Sequence, residues 1–310
     1  MAAATLPGVD CAGGTPAGIS TAQLGPILSN TTIVGNPTPV VPVSSLDQLA
    51  LERVNRARLR PAEEAARYGI ALDEGIPGQL GIFPRQPVAM NAPLRAAAAA
   101  HSLDMLTRNY FDHTTPEGDS PFARMNQAGY DFVDAGENLA WRGTTGAVDE
   151  AVLVENEHAD LFVDVDIPGR GHRVTMLNDA FREAGISTIR GGFLHEGKVF
   201  DTIMQTQDFA TAPDSPTFVL GVVYNDSNAN GQYDFGEGTA NVTVLMSGLV
   251  RSTSAGGGYA FPATRIGSYT ISFPNERTLD FTVGEGDRNI KVDFVNGSQI
   301  IVNLGLGPLP

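Results

Sequence analysis

A single cysteine, Cys11, excludes an internal disulfide and a cysteine-built zinc site. Lysine is almost missing: only Lys198 and Lys291 occur among 20 basic residues, and no basic cluster appears. The 35 acidic residues outweigh them to a net charge of −15, which argues against a nucleic-acid partner or an anionic membrane surface. No apolar run approaches the roughly 18 residues a membrane-spanning helix needs, so none is expected. The first residues, Met1 to Gly18, lack the basic start and apolar core of a signal peptide. Export would then use a leader outside this sequence or another route; otherwise the protein stays inside. What is present is a folding composition, 42% hydrophobic and 18% charged, in a chain long enough for one large domain or two ordinary ones.

The chain divides into three by composition. Residues 1–43 are rich in Gly, Pro, Thr, Ala and Val and nearly uncharged. With Pro37, Pro39 and Pro42 close together they read as an extended, flexible linker. Residues 44–213 hold the helical signal. Ser45 and Gln48 form a capping box before Leu46, Leu49, Ala50, Val54 and Ala57 at helical spacing. Pro61 opens an irregular insertion to Val88. A second helix runs from an Asn91 cap to Asn109, a third starts at Ser120-Pro121 and stops at Gly129, and a fourth spans Thr145 to Leu161. Strand-like runs follow at 184–190 and 199–209, separated by glycines as in a hairpin. From 214 to 310 helical periodicity is gone. Seven short β-rich runs recur at 217–223, 241–246, 259–261, 269–273, 279–283, 290–294 and 300–304, the pattern of a β-sandwich. The fold class is α+β, an α/β unit followed by an all-β one.

The sharpest motif lies early in the third region. Asp226, Asn228, Asn230, Gln232, Asp234 and Glu237 occupy loop positions 1, 3, 5, 7, 9 and 12, with Gly231 at 6. Calcium takes six to eight oxygens, and this spacing lets twelve residues wrap it, Gln232 giving its carbonyl and Glu237 two oxygens. The alternative is a polar Asx-rich turn without metal. Strands flank the loop, so a calcium-sensing helix pair is not expected. With Gly221–Asp226, Gly236–Gly238 and Val242–Val244, the stretch resembles the calcium-binding β-sandwich repeats of bacterial surface adhesins (SdrD B-like), over about 216–295. The resemblance implies a surface spacer stiffened by calcium.

Region two carries four histidines in suggestive settings: Phe111-Asp112-His113, Glu155-Asn156-Glu157-His158, Gly171-His172-Arg173, and His101 in the alanine-rich helix, the last expected in the core. His195, in the hairpin, is expected to be solvated. Two imidazoles and a carboxylate can hold zinc with one open position, or a carboxylate can act as a general base beside a neutral imidazole. The runs Ala96–Met105, Phe111-x-His113, Arg124–Tyr130 with Ala128-Gly129-Tyr130, Gly136-Glu137-Asn138-Leu139-Ala140, Gly171-His172-Arg173 and Gln205–Phe209 resemble, in family order, the CAP superfamily of cysteine-rich secretory, antigen 5 and pathogenesis-related 1 proteins, bacterial SCP-like branch. The resemblance implies an α–β–α sandwich with a His, Glu, Glu, His cleft. His113, Glu137 and His172 take three of those places. The second glutamate falls on Glu157, or His158 stands there instead. His113 and His172 would be the zinc ligands.

Three functions follow as alternatives. One is a secreted or cell-surface module binding an extracellular ligand, protein or lipid, spaced by the calcium sandwich. Another is a metal- or histidine-assisted hydrolase, peptidase-like, although no Ser/His/Asp order or zincin motif occurs. The last is a lipid or sterol carrier using the groove and the apolar insertion at 70–88 with Ile76, Leu80, Ile82 and Phe83.

Overall fold

A computed structural model describes residues 5–14 and 42–304. Helix α1 (Ser45–Leu59) starts from Ser44, whose hydroxyl accepts the Asp47 amide at 3.0 Å while the Asp47 carboxylate accepts the Ser44 amide at 2.9 Å. The capping box thus sits one residue earlier than expected, and Gln48 instead donates to Glu52 at 2.9 Å. Helix α2 (Pro61–Arg67) occupies the start of the stretch expected to be irregular. Its proline stands at the first helical position, where no backbone donor is missed. Helix α3 (Ala92–Arg108) has its Asn91 cap and ends at Asn109 in the left-handed conformation. Helix α4 (Pro121–Gln127) has its Ser120 cap. Helix α5 (Glu150–Val163) starts from Asp149, later than the Thr145 expected, because the Asp149 side chain accepts the Val152 amide. A short α6 (Gly171–Met176) follows.

These helices sandwich a five-stranded sheet in the order β1-β3-β5-β4-β2. Its strands are β1 (Thr5–Gly14), β2 (Ala89–Met90), β3 (Asp134–Thr144), β4 (Glu183–His195) and β5 (Lys198–Thr211). The β4–β5 hairpin closes at Glu196-Gly197, both at positive φ. Side-chain alternation sorts the two faces. Leu139, Trp141 and Met204 pack on Met105 of α3, and Ala135 and Ala210 pack with Leu94 of α3 and Met125 of α4. Ala140, Ile186, Ile203 and Phe209 pack against α1, α5 and α6. Gly185 is required for α3 to approach: a Cβ there would lie 2.1 Å from the Leu94 carbonyl carbon. This is the α–β–α architecture expected.

Thr5–Gly14 departs from the flexible linker expected over 1–43: it pairs antiparallel with β3 and carries Cys11. Residues 1–4 and 15–41, including Pro37 and Pro39, lie outside the described residues.

The C-terminal strands are β6 (Thr217–Tyr224), β7 (Thr243–Met246), β8 (Leu249–Ser252), β9 (Gly258–Ala263), β10 (Gly267–Phe273), β11 (Arg277–Val283), β12 (Ile290–Val295) and β13 (Gln299–Leu304). They form two four-stranded sheets, β11-β10-β7-β8 and β13-β12-β6-β9. Val219, Phe261, Val292 and Phe294 of one sheet share a core with Val244, Met246, Ile271 and Phe273 of the other, an arrangement consistent with the expected sandwich. β8, exposed along its whole length, has no alternation to betray it.

The two units share more than a linker. Val222, Tyr224, Tyr233 and Val295 belong to the same apolar cluster as Leu49 and Val54 of α1. Beside it Lys291 Nζ lies 2.9 Å from Glu52 and also pairs with Asp293, all three buried. Burial pushes the Glu52 carboxyl up against the pull of Lys291. Burial pulls Lys291 down, but Asp293 and Glu52 outweigh it and hold the ammonium charged. Asn289 adds bonds to the carbonyls of Pro87 (2.9 Å) and Arg182 (2.7 Å).

Candidate functional site

His113 lies on the loop after α3, beyond the helix end that Asn109 sets. Arg124 of α4 fixes that loop by donating to the carbonyls of His113 (2.6 Å) and Asp119 (3.1 Å). His113 Nδ1 then meets Glu137 Oε1 at 2.6 Å, while the other Arg124 nitrogen reaches Glu137 Oε2 at 2.5 Å. Glu137 is fully buried on β3. Burial alone would raise its pKa, but the His113 bond and the charges of Arg124 and His101 outweigh that and hold the carboxyl below its ordinary range. Asp208 stands directly across the β3–β5 pairing from Glu137. It is buried, and neither of its oxygens finds a donor among the described residues. Burial and the Glu137 charge both push its pKa well up. His101 is buried as expected; its Nε2 is 3.0 Å from the Asp112 carbonyl, and burial lowers its pKa to about 4. His195 is half-buried and lies tilted against Trp141, with ring centroids 5.2 Å apart, more enclosed than the solvated position expected.

His172 and Glu157 lie elsewhere. His172, on α6, has Nδ1 2.5 Å from Asp164 Oδ1, and its amide donates to Asp164 Oδ2 at 3.0 Å. Its carbonyl accepts from the Asn138 side chain at 3.1 Å. Its Nε2 is buried without a partner among the described residues. Glu157 of α5 is fully buried and accepts the Arg142 amide at 3.1 Å and the Gln205 side chain at 2.8 Å. Burial pushes its pKa well up despite those two bonds. His158 turns the other way, to Glu64 of α2 at 2.8 Å and onto the Phe162 ring. Of the two residues open for the fourth place, Glu157 is the one that faces the sheet.

Glu137 and Asn138 are neighbours on one strand and so point to opposite faces. His113 and Glu137 therefore belong to the α3–α4 face, and Glu157 and His172 to the α5–α6 face. The four residues expected to converge are divided between the two faces, because the GENLA segment is a strand: His113 bonds Glu137 on one, while Glu157 and His172 each have partners of their own on the other. Zinc held jointly by His113 and His172 does not fit this arrangement. Among the described residues, no three His, Cys, Asp or Glu side chains gather where a metal ion could be held.

The loop between β6 and β7 brings its oxygen side chains together. Asp226 accepts the amides of Asn230 (3.1 Å) and Gly231 (2.9 Å), and Gly231 makes the turn at φ +74°. The side-chain amides of Asn228 (2.8 Å) and Asn230 (2.7 Å) both donate to Asp234 Oδ2. Glu237 accepts the Ser227 amide and hydroxyl at one oxygen and the Asp234 amide at the other. Gln232 gives its side-chain oxygen to Arg56 (3.4 Å) and Arg67 (3.2 Å), leaving its carbonyl for the role expected. In this conformation the loop's carboxylates are satisfied by its own N–H groups, the pattern of an Asx-rich turn.

Arg124, Gln205 and Asp208 lie in runs that carried the family resemblance but were given no role of their own, and Asp164 was not singled out. Asp208 and Gln205 had one usable signal, polar residues inside an apolar strand run. The partners of Arg124 and Asp164 had no local signal, since they depend on loops returning to the sheet. In the 70–88 insertion Ile76 is buried, whereas Ile82 (66%) and Phe83 (54%) are exposed.

An α–β–α sandwich with GENLA on a central strand, a histidine bonded to its glutamate and a GHR turn packed on its other face defines a secretory-type CAP domain. The chain belongs to that family: the family described as "CAP: Cysteine-rich secretory protein family" matches residues 51–209. Among curated proteins it is similar to YkwD of Bacillus subtilis (strain 168), 31% identical over 107 residues, which are 34% of this chain and 37% of that one. It is also similar to the membrane protein YlbC of the same organism, 31% identical over 98 residues, 32% of this chain and 25% of that one. The chain thus spans well under half the length of the curated relatives it matches. Two solved structures are similar in part. One is an extracellular SCP-domain protein from Bacillus anthracis str. Ames (22% identity, TM-score 0.28, 41% of this chain and 34% of that one). The other is Na-ASP-1 (15% identity, TM-score 0.32, 60% and 43%).

Proposed function

We propose that this protein is a secreted or cell-surface recognition module, a CAP domain that binds an extracellular protein ligand. The supporting observation is that both glutamates expected in the cleft are fully buried, on opposite faces of the sheet, with every oxygen engaged: Glu137 by His113 and Arg124, Glu157 by the Arg142 amide and Gln205. Carboxylates so committed order the scaffold and have no oxygen left to activate water. The β unit acts as a rigid support, joined through the Glu52–Lys291–Asp293 contact. Its 226–237 loop is a calcium site of the adhesin-repeat kind, with Asp226, Asn228, Asn230, Asp234, Glu237 and the Gln232 carbonyl as ligands.

One observation favours a hydrolase instead: the 2.6 Å contact from Glu137 orients His113, which is not fully buried, as a base would be oriented. The deciding experiment is hydrolysis of a fluorogenic casein substrate by the full chain and by His113→Ala. No histidine-dependent turnover is expected. Turnover that His113→Ala abolishes, in a variant that keeps its fold, would replace recognition by catalysis.

A further inference from the structure

Without β1, strand β3 would be the outer strand of its sheet, next to β5 on one side and open on the other. An open strand eleven residues long carries a row of unpaired amides and carbonyls that needs a cover. β1 covers it almost end to end, from Thr5 opposite Thr144 to Gly14 opposite Ala135. The cover is a poor strand by composition. TLPGVDCAGG contains one proline and three glycines, residues that weaken or interrupt sheet pairing. In sequence, residues 15–41 lie between β1 and the segment that begins at Pro42. The edge also runs through both halves of the candidate site. Ala12 lies opposite Glu137, which holds His113. Cys11 lies opposite Asn138, which holds the His172 carbonyl. Helices α5 and α6 pack alongside the same strand.

We propose that the β3 edge is the recognition surface, that it accepts an extended segment of a partner protein as an added antiparallel strand, and that β1 is the exchangeable occupant in cis. Main-chain pairing supplies affinity. The partner's alternate side chains fall toward the α3–α4 face and the α5–α6 face, and these select among sequences. A segment rich in Val, Ile and Thr and free of Pro and Gly outcompetes β1. This rests on the recognition function proposed above. Exchange protection reports pairing whether or not the cleft hydrolyses anything, so the two can fail separately.

The test uses the full chain carrying Val9→Pro and Asp10→Pro, which blocks β1 donors in both phases of the ladder without touching β3. Hydrogen exchange of Asp134–Thr144 is followed by mass spectrometry. Near-UV circular dichroism of Trp141, the only tryptophan and a buried β3 residue, reports the fold. Loss of protection confined to β3 is expected. A synthetic Thr5–Gly14 peptide with Pro7→Val and Gly8→Thr should restore it, and the same peptide with alternate amides N-methylated should not. Unchanged protection, or equal rescue by the methylated peptide, overturns the proposal. So does self-association of the variant in place of peptide binding, seen by sedimentation. If the variant loses its Trp141 signal, the wild-type chain carries the test. Excess unmethylated peptide should then speed exchange of Thr5–Gly14 while β3 stays protected, and no change there also overturns the proposal.

Discussion

Glu137 and Asp208 face each other across β3 and β5, both buried, yet they should respond oppositely to loss of charge. Glu137→Gln keeps the shape but removes the only carboxylate bonded to Arg124 among the described residues; the Arg124 side chain is 8% exposed. Leaving a buried guanidinium uncompensated costs about 3–5 kcal/mol. The isosteric amide still offers one acceptor, which favours about 3 kcal/mol, or a fall in Tm of about 6–12 °C for a chain of this size. Asp208→Asn removes a carboxyl whose ionisation burial and Glu137 both oppose, so stability should be unchanged or higher. The pH dependence carries the sign. Asp208 has a folded pKa above its unfolded value of about 3.9, so its contribution is complete below that pH and is lost as pH rises through the folded pKa. The advantage of Asp208→Asn over wild type should therefore grow from pH 4 upward. Glu137 has a lowered folded pKa, so its contribution is present above about 4.3 and is lost as pH falls through the folded value. Guanidinium unfolding of the three proteins between pH 4 and 8 measures both. A loss of 2 kcal/mol or more for Asp208→Asn at pH 7 would refute this reasoning, because it would require an ionised, paired Asp208.

Other outcomes are expected. Lys291→Met should destabilise the chain by about 3–5 kcal/mol at pH 7, by leaving Glu52 and Asp293 as an uncompensated buried pair. The loss should shrink in acid, where the raised Glu52 carboxyl takes up a proton, and adding Glu52→Gln and Asp293→Asn should recover most of it; urea titrations across pH check this. Gly185→Ala should destabilise by about 1–3 kcal/mol or more, because its Cβ would meet α3 backbone that cannot yield; thermal unfolding measures it. Calcium should raise the melting temperature of wild type and not of Asp226→Ala in scanning calorimetry; an equal rise in both would remove the loop assignment.

Much of the scaffold was legible because its signals are local. Asn91, Ser120 and Asn109 mark helix ends through side-chain or left-handed backbone geometry that depends on a few neighbouring residues. The seven expected C-terminal strands stand where short β-rich runs are cut by Gly, Asn and Pro. Errors arose where local signals compete. Ser44 and Ser45 could each cap α1, and only the reach of Asp47 chooses between them. The proline that seemed to break the chain at 61 starts α2 instead.

The residue types of the candidate site were also in the sequence, through the order of FDH, GENLA and GHR. Their grouping was not. Whether Glu137 and His172 share a cleft depends on side-chain alternation along a strand whose partners, β5 and β1, lie far away in sequence. Only tertiary structure places Arg124 on Glu137, Asp164 on His172, Asp208 opposite Glu137, and Lys291 between Glu52 and Asp293. Those pairings depend on desolvation, which a linear pattern cannot express: a charge becomes costly, and its partner obligatory, only once the fold has excluded water from both.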